Sequence, residues 1–356
     1  MSEVLACQKC GVPEYITSEH EWHNNGLIVQ KKDKRHILIF IENDNLVELF
    51  SRIEEIMEFS IERIIMNTRR RASRAYMDRV IPNSLREMVQ KKELEVDPLA
   101  KMLFSVAHVL GYGRFELVDY RYEQDEDDYM IFRIHKPYSA MLGSSDLVAS
   151  CEAFLGKEMA ATYAQVAEDV YDVKATVSSH PEAFKGRLLM KTCSAREGDI
   201  QLESCRECGA PRKLGLFKWD TENGIIRNEE TGRRMVFFAP TVLEAVLNEL
   251  EDELGDAIPG VVVEAQRRLT KNGLYPIKEW SDMGVLREQL ALRGFGNLRE
   301  FKMSEDNLSL SLHNAQIHLL IVGFAQGLFE MTSGTGSKVE WNFSDQGDLD
   351  LEVNAG

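Results

Sequence analysis

Textual signatures of catalysis are missing from this chain of 356 residues: it holds no Gly-x-Ser-x-Gly elbow, no dinucleotide-binding Gly-x-Gly-x-x-Gly and no His-Glu-x-x-His. An enzyme built on one of those motifs is therefore disfavoured. Positive charge is in short supply, with 42 Lys and Arg against 58 Asp and Glu and a net charge of −16. Phosphate backbones are bound by Lys and Arg that release counterions, so no nucleic-acid partner is expected. The opening Met-Ser-Glu-Val-Leu-Ala-Cys lacks a cationic segment leading into an apolar one, so no secretory signal is expected. The most apolar late run, Ile317 to Ala325, is far too short to span a bilayer. These absences place the protein in the cytoplasm, where thiols stay reduced and paired cysteines point to a metal before a disulfide.

What is present is a recurring pattern. Shifting the chain by 198 positions brings Cys7, Cys10, Gly11 and Pro13 onto Cys205, Cys208, Gly209 and Pro211. With no gap, Asn25, Gly26 and Ile28 then meet Asn223, Gly224 and Ile226, and Arg35 and Phe40 meet Arg233 and Phe238. Leu49, Glu55, Arg69 and Arg70 meet Leu247, Glu253, Arg267 and Arg268. Later, Gly111-Tyr112-Gly113 corresponds to Gly294-Phe295-Gly296, and after a deletion His135, Glu152 and Gly156 fall on His313, Glu330 and Gly334. A period this long indicates a duplicated domain, with a first repeat over 1–185 and a second over 186–356. Two such halves commonly pack about a twofold axis.

Local patterns assign the elements. Ile37 to Ile41 and Met235 to Phe238 are short apolar runs after a polar turn, as in the second strand of a hairpin. Leu46, Leu49, Phe50, Ile53, Ile56, Met57 and Ile64 recur at helical spacing, as do Val242, Val246, Leu247, Leu250 and Leu254 before a Gly255 cap. Leu99 to Leu110 reads as a helix ended by Gly111, Phe115 to Tyr122 and Tyr129 to His135 as strands around an acidic turn, and Tyr171 to Val177 and Leu349 to Val353 as final strands. The class is α+β with antiparallel sheet: each repeat a Cys knuckle, a hairpin, helices and a sheet.

A Cys-x-x-Cys turn aims two sulfurs at one point, which suits half of a tetrahedral zinc site. Each repeat lacks the other half. The favoured solution joins them, with Cys7, Cys10, Cys205 and Cys208 around one structural zinc. The alternatives are separate sites, one recruiting Cys193 to Cys205 and Cys208 and the other His20 or His23 to Cys7 and Cys10, or metal-free turns. Thioredoxin-type redox chemistry is disfavoured, since no strand precedes either motif and no helix begins at it. His135 and His313, at matching strand ends, are candidates to point polar groups into a cavity. His108 reads as a core or surface histidine because its counterpart is Ala291. Arg69, Arg70, Arg71 and Arg74 form a cationic patch that could hold a phosphate or carboxylate but reads more simply as a solvated helix face. Ser333 to Lys338 lacks the Walker spacing and is set aside.

Gly111 and Gly113, the hairpin, and the Cys151 to Gly156 stretch, with Gly294, Gly296 and Gly334 in the second half, resemble the 4-vinyl-reductase domain, a small-molecule-binding α+β family. The resemblance implies a helix ending in a glycine turn, strands, and a short helix before the last strand. It further implies an apolar ligand and a cysteine cluster near the domain end, which Cys193, Cys205 and Cys208 would echo. The expected function is zinc-stabilised, non-catalytic binding or sensing of a small hydrophobic molecule, with His135, Tyr138, Cys151 and His313 at the pocket. An enzyme or accessory acting on a hydrophobic cofactor or acyl compound, and a scaffold for a protein partner or second copy, are the rival expectations.

Overall fold

The computed structural model describes residues 5–181, 188, 195–274 and 282–356. The expected boundary between residues 185 and 186, and Cys193, lie outside these residues. The first half runs α1 (Glu14–Glu19), β1 (His20–Trp22), β2 (Ile28–Gln30), β3 (Ile37–Glu42), α2 (Asn43–Met57), α3 (Glu62–Val80), α4 (Asn83–Gln90) and α5 (Val96–Val109). It continues through β4 (Arg114–Arg121), β5 (Tyr129–His135), α6 (Ala140–Leu155), β6 (Met159–Ala167) and β7 (Val170–Val177). The second half repeats most of this order: β8 (Phe217–Asp220), β9 (Ile225–Asn228), β10 (Arg234–Phe238), α7 (Pro240–Leu254), α8 (Ile258–Leu269), α9 (Met283–Leu292), β11 (Asn297–Met303), β12 (Asn307–His313), α10 (His318–Ser333), β13 (Ser337–Phe343) and β14 (Leu349–Ala355). The class is α+β, with three antiparallel sheets among the described residues.

Two of the sheets have the same order, β4-β5-β7-β6 and β11-β12-β14-β13, one in each half. The third, β1-β2-β3-β10-β9-β8, is shared, because β3 and β10 pair antiparallel with Phe40 opposite Phe237 and their rings stacked 4.3 Å apart. This pairing corrects the gapless alignment. Ile28 pairs with Leu38 in one hairpin and Ile226 with Met235 in the other, so the second hairpin's turn is one residue shorter. Beyond it, Phe40 matches Phe237 rather than Phe238, and Arg70 and Arg71 match Arg267 and Arg268, leaving Arg69 opposite Gln266.

The helical run expected from Leu46 to Ile64 is two helices, broken where Glu58 takes a left-handed conformation at φ 60°. The remaining strand and helix expectations fall within a few residues of the observed elements. β6 and α4 have no sequence signal that sets them apart. α6 and α10 are apolar nearly all round and bury both faces, one against the sheet of its own half and the other against α3 or α8.

The halves interlock by exchange. α2 packs on α8 and α7 on α3, so the largest core cluster draws residues from both halves. Each Gly-aromatic-Gly turn also docks on the Asn-Gly turn of the opposite half: the Gly113 amide donates to the Gly224 carbonyl at 2.9 Å and the Gly296 amide to the Gly26 carbonyl at 3.2 Å. Trp22 Nε1 donates to the Leu292 carbonyl and Trp219 Nε1 to the Val109 carbonyl. A Cβ on Gly26 would lie 2.1 Å from the Gly296 oxygen, and one on Gly224 2.2 Å from the Gly113 oxygen. Both glycines also hold positive φ, so the crossing tolerates no side chain. Gly26→Ala is therefore expected to cost at least about 3 kcal/mol in urea unfolding. Gly232→Ala, at positive φ in open space, should cost only about 1 kcal/mol.

Candidate metal clasp and ligand cavity

Both knuckles close by the same backbone bonds. The Gly11 amide donates to the Cys7 carbonyl at 2.8 Å and the Gly209 amide to the Cys205 carbonyl at 2.9 Å, while the Cys7 and Cys205 amides donate to the Val12 and Ala210 carbonyls. Gly11 and Gly209 sit at φ 71° and 77°, the left-handed conformation that turns each loop back on itself. The shared sheet then brings the loops face to face. Cys7 Sγ lies 3.9 Å from Cys205 Sγ and Cys10 Sγ 3.4 Å from Cys208 Sγ, with all four sulfurs within 4.8 Å of one another.

Four thiolates around one ion at a bond length of about 2.3 Å would stand about 3.8 Å apart. The observed separations match a single tetrahedral ion, and a polynuclear cluster would hold the sulfurs further apart. Backbone amides at Cys208 and Glu207 draw the Cys205 thiol down to about 7, whereas burial raises Cys10 and Cys208. Such a group favours thiolate first at Cys205, and a cation would be needed to ionise Cys10 and Cys208. Neither His20 nor His23 belongs to this four-sulfur group: His20 Nδ1 bonds the Ile16 carbonyl at 3.2 Å, and His23 Nε2 lies 3.3 Å from Glu21. A short helix, α1, does begin a few residues after the first knuckle, but among the described residues no strand leads into either.

A cavity of about 770 Å³ opens in the first half between α3, α5, α6, the faces of β4 and β5, and the first hairpin, with Ala239 and Val242 of the second half at its edge. Its wall is largely apolar, including Leu99, Phe104, Phe115, Phe132 and Phe154. Cys151 belongs to it. Burial pushes that thiol up to about 12 and its sulfur contacts Met130 Sδ, so it serves as an inert apolar surface. Tyr138 lies one layer behind the wall, fully buried, packed on Tyr112 and donating to Asp146 Oδ2 at 2.8 Å. His135 and His313 are not at the cavity. They end β5 and β12 under the second glycine of each Gly-aromatic-Gly turn, and the His135 ring lies 3.5 Å from Glu116 at the sheet edge. The strand-end position fixes their backbone carbonyls against the glycines instead of aiming their rings inward.

In the arginine patch the side chains of Arg69, Arg70 and Arg71 are no more than 11% exposed, and Arg74 alone is more open to solvent, paired with Asp78. Arg69 makes a two-pronged pair with Asp146, both bonds 2.8 Å; Arg70 pairs with Glu152; and Arg71 reaches Glu249 of the second half. Arg267 repeats the Arg70 contact on Glu330. Asp146 also accepts from Ser73, and the Arg69 guanidinium lies over the Phe238 ring at 4.5 Å. The signal in the sequence is the acids: Asp146 and Glu152 are the charged residues of an otherwise apolar helix, and Glu330 is that of its counterpart. Two histidines face the cavity beside this group, His20 and His36, and burial lowers both so that they stand neutral at neutral pH. His108 accepts from the Phe115 amide at 3.0 Å and is structural.

No protein-family model matches the chain, and no curated protein matches it. Among solved structures it is similar in part to a Cs H-NOX mutant carrying 4-cyano-L-phenylalanine at site 5, with 12% identity and a TM-score of 0.24 over 33% of this chain and 74% of that one. An oxygen-binding H-NOX domain related to soluble guanylate cyclases, in its oxygen complex, gives 11% identity and a TM-score of 0.22 over 32% of this chain and 70% of that one. Among the described residues, no helix is long and apolar enough to cross a membrane.

Elemental analysis is expected to return one metal ion per chain, and Cys205→Ser to release it and lower the melting temperature of the whole chain rather than of one half. Removing one partner of a buried ion pair strands the other, so Asp146→Ala should destabilise the protein by about 3–5 kcal/mol in urea unfolding.

Proposed function

We propose that this protein is a non-catalytic binding or sensor protein for a small hydrophobic molecule, held together by a structural zinc shared between its halves. The observation that carries the reading is the 770 Å³ cavity, which is of the size and apolar character of small-molecule sites, with a few polar groups converging on it. The order of a helix ending at Gly111, strands, then a helix reaching Gly156 supports kinship with the 4-vinyl-reductase domain. The recurrence of strand order supports reading the two halves as copies of one module.

Zinc suits the four-sulfur group because it accepts four thiolates without redox chemistry. Its shell would then be full, leaving no position for a substrate. The clasp would act on the cavity through α1, which starts just after Cys10 and places Tyr15 and Glu19 on the cavity wall. Cytoplasmic residence agrees with reduced thiols at this group.

Diphenylhexatriene, which fluoresces in apolar surroundings, is expected to bind the zinc-loaded protein with one site per chain. Ala100→Trp puts a large ring on the α5 wall and should weaken that binding at least about tenfold while circular dichroism stays unchanged. Undiminished binding by that variant would remove the cavity from the reading.

A further inference from the structure

The charge lining the cavity is unevenly placed. Its charged side chains are Lys32, Arg35, Arg69 and Arg79 against Glu19, Asp33 and Asp146, a surplus of one cation in a chain whose net charge is −16. In the buried wall, Arg69 and Asp146 balance each other in their two-pronged pair. At the solvent side, Lys32 reaches Glu19 at 2.9 Å, while Arg35 and Arg79 share the one carboxylate of Asp33 at 3.3 and 2.9 Å. The surplus cation therefore belongs to the opening, where the Lys32 and Arg35 side chains are 78% and 65% exposed. The apolar lining residues Leu99, Phe104, Phe132 and Phe154 are all buried.

The turn that bears Lys32 and Arg35 also differs between the halves. It reads Lys31-Lys32-Asp33-Lys34-Arg35-His36 between β2 and β3, and its counterpart between β9 and β10 reads Glu229-Glu230-Thr231-Gly232-Arg233. The turn is basic beside this cavity and acidic on the other copy of the hairpin.

We infer that the cavity takes an amphiphile, with an apolar body inside and one negatively charged group at the opening, met by Lys32, Arg35 and Arg79. This rests on the ligand-binding reading above and specifies its ligand class. The charged group stays at the rim because carrying an anion into the apolar interior is costly and Arg69 is already balanced there. A cleft with low-dielectric walls focuses the field of a surplus charge at its mouth, so an anionic head is favoured over a neutral one and a cationic head is repelled. One surplus charge matches a head of one charge.

The test displaces diphenylhexatriene from the purified full chain with three molecules of one chain length, each below its micellar concentration: dodecanoate, dodecanol and dodecyltrimethylammonium. At neutral pH and about 0.05 M salt, dodecanoate is expected to bind about fivefold more tightly than dodecanol, the span of one exposed ion pair, and dodecyltrimethylammonium more weakly than either. At about 0.5 M salt the preference for dodecanoate should fall below about twofold, because screening reaches charges at an open rim. Lys32→Gln/Arg35→Gln leaves the rim with a surplus of carboxylate and should abolish or invert that preference; circular dichroism checks that the fold is kept. Dodecanol bound as tightly as dodecanoate by the wild type overturns the inference and leaves the cavity reading standing, as does tightest binding by dodecyltrimethylammonium. A dodecanoate preference that survives in the double variant also overturns it. Attachment of the chain to phosphatidylglycerol vesicles, with no preference for dodecanoate over dodecanol, would assign the rim to a lipid surface and overturn it too. Failure of diphenylhexatriene to bind the wild type overturns the inference together with the reading beneath it. If the double variant does not fold, the ranking of the three molecules and its salt dependence in the wild type decide.

Discussion

Antiparallel pairing of β3 with β10 is the constraint from which the rest of the architecture follows. Because Phe40 stands opposite Phe237, matched residues of the two halves are related across the strand pair, and the main contacts between the halves occur twice. The knuckles meet, so four sulfurs converge. The Gly-aromatic-Gly turns cross to the opposite hairpins, and α2 and α7 exchange places against α8 and α3. Neither half completes its core alone, since the largest cluster takes Ile39, Leu46 and Ile65 from one and Val236, Leu250 and Val262 from the other. Such exchange makes unfolding of one half cost the packing of both.

How much of this is legible in the sequence depends on whether a feature is local. The knuckles, the hairpins and the helix ended at Gly111 are readable because cysteine spacing, turn glycines and apolar period are properties of a few adjacent residues. The convergence of Cys7, Cys10, Cys205 and Cys208 is readable for a different reason: two incomplete ligand sets complete each other. The one-residue difference between the hairpin turns is not readable, since a gapless register still aligns Arg69 and Arg70 with Arg267 and Arg268 by coincidence of an Arg run. The strand pairing, and the contacts of Arg70 with Glu152 and Arg267 with Glu330, show which arginines correspond. The cavity residues divide in the same way. Cys151 reaches the wall because it lies on a helix buried on both faces, whereas His135 and His313 are suggested by matching position alone, and position along a strand does not say where a ring points.

The halves share a scaffold but not a site. At the contact between α8 and α10, Gly323 and Gly327 admit Gln266 and Thr270 so closely that a Cβ would lie 2.6 Å and 2.7 Å from them. The first half has Ser145 and Ala149 at those places, and its α3 carries Arg69 where α8 carries Gln266. Replacing a glycine contact by larger residues, and an amide by an ion pair, changes a close-packed helix seam into one whose polar contacts gather on Arg69, Asp146, Ser73 and Tyr138 beside the cavity.

The same symmetry links the four-sulfur group to the cavity. The cavity is bounded on one side by α1 and the first hairpin, elements too short to hold their own shape: α1 has six residues, and β1 and β2 have three each. Isolated helices and hairpins of that size are marginal in water. They are held at one end by β3 through the shared sheet and at the other by the knuckle that begins at Cys7. A cation joining that knuckle to Cys205 and Cys208 would fix the wall bearing Tyr15, His20 and His36 without touching the cavity. Loss of the cation would loosen this wall first, because its remaining tethers are short, while α3 and α6 stay joined by Arg69 with Asp146 and Arg70 with Glu152.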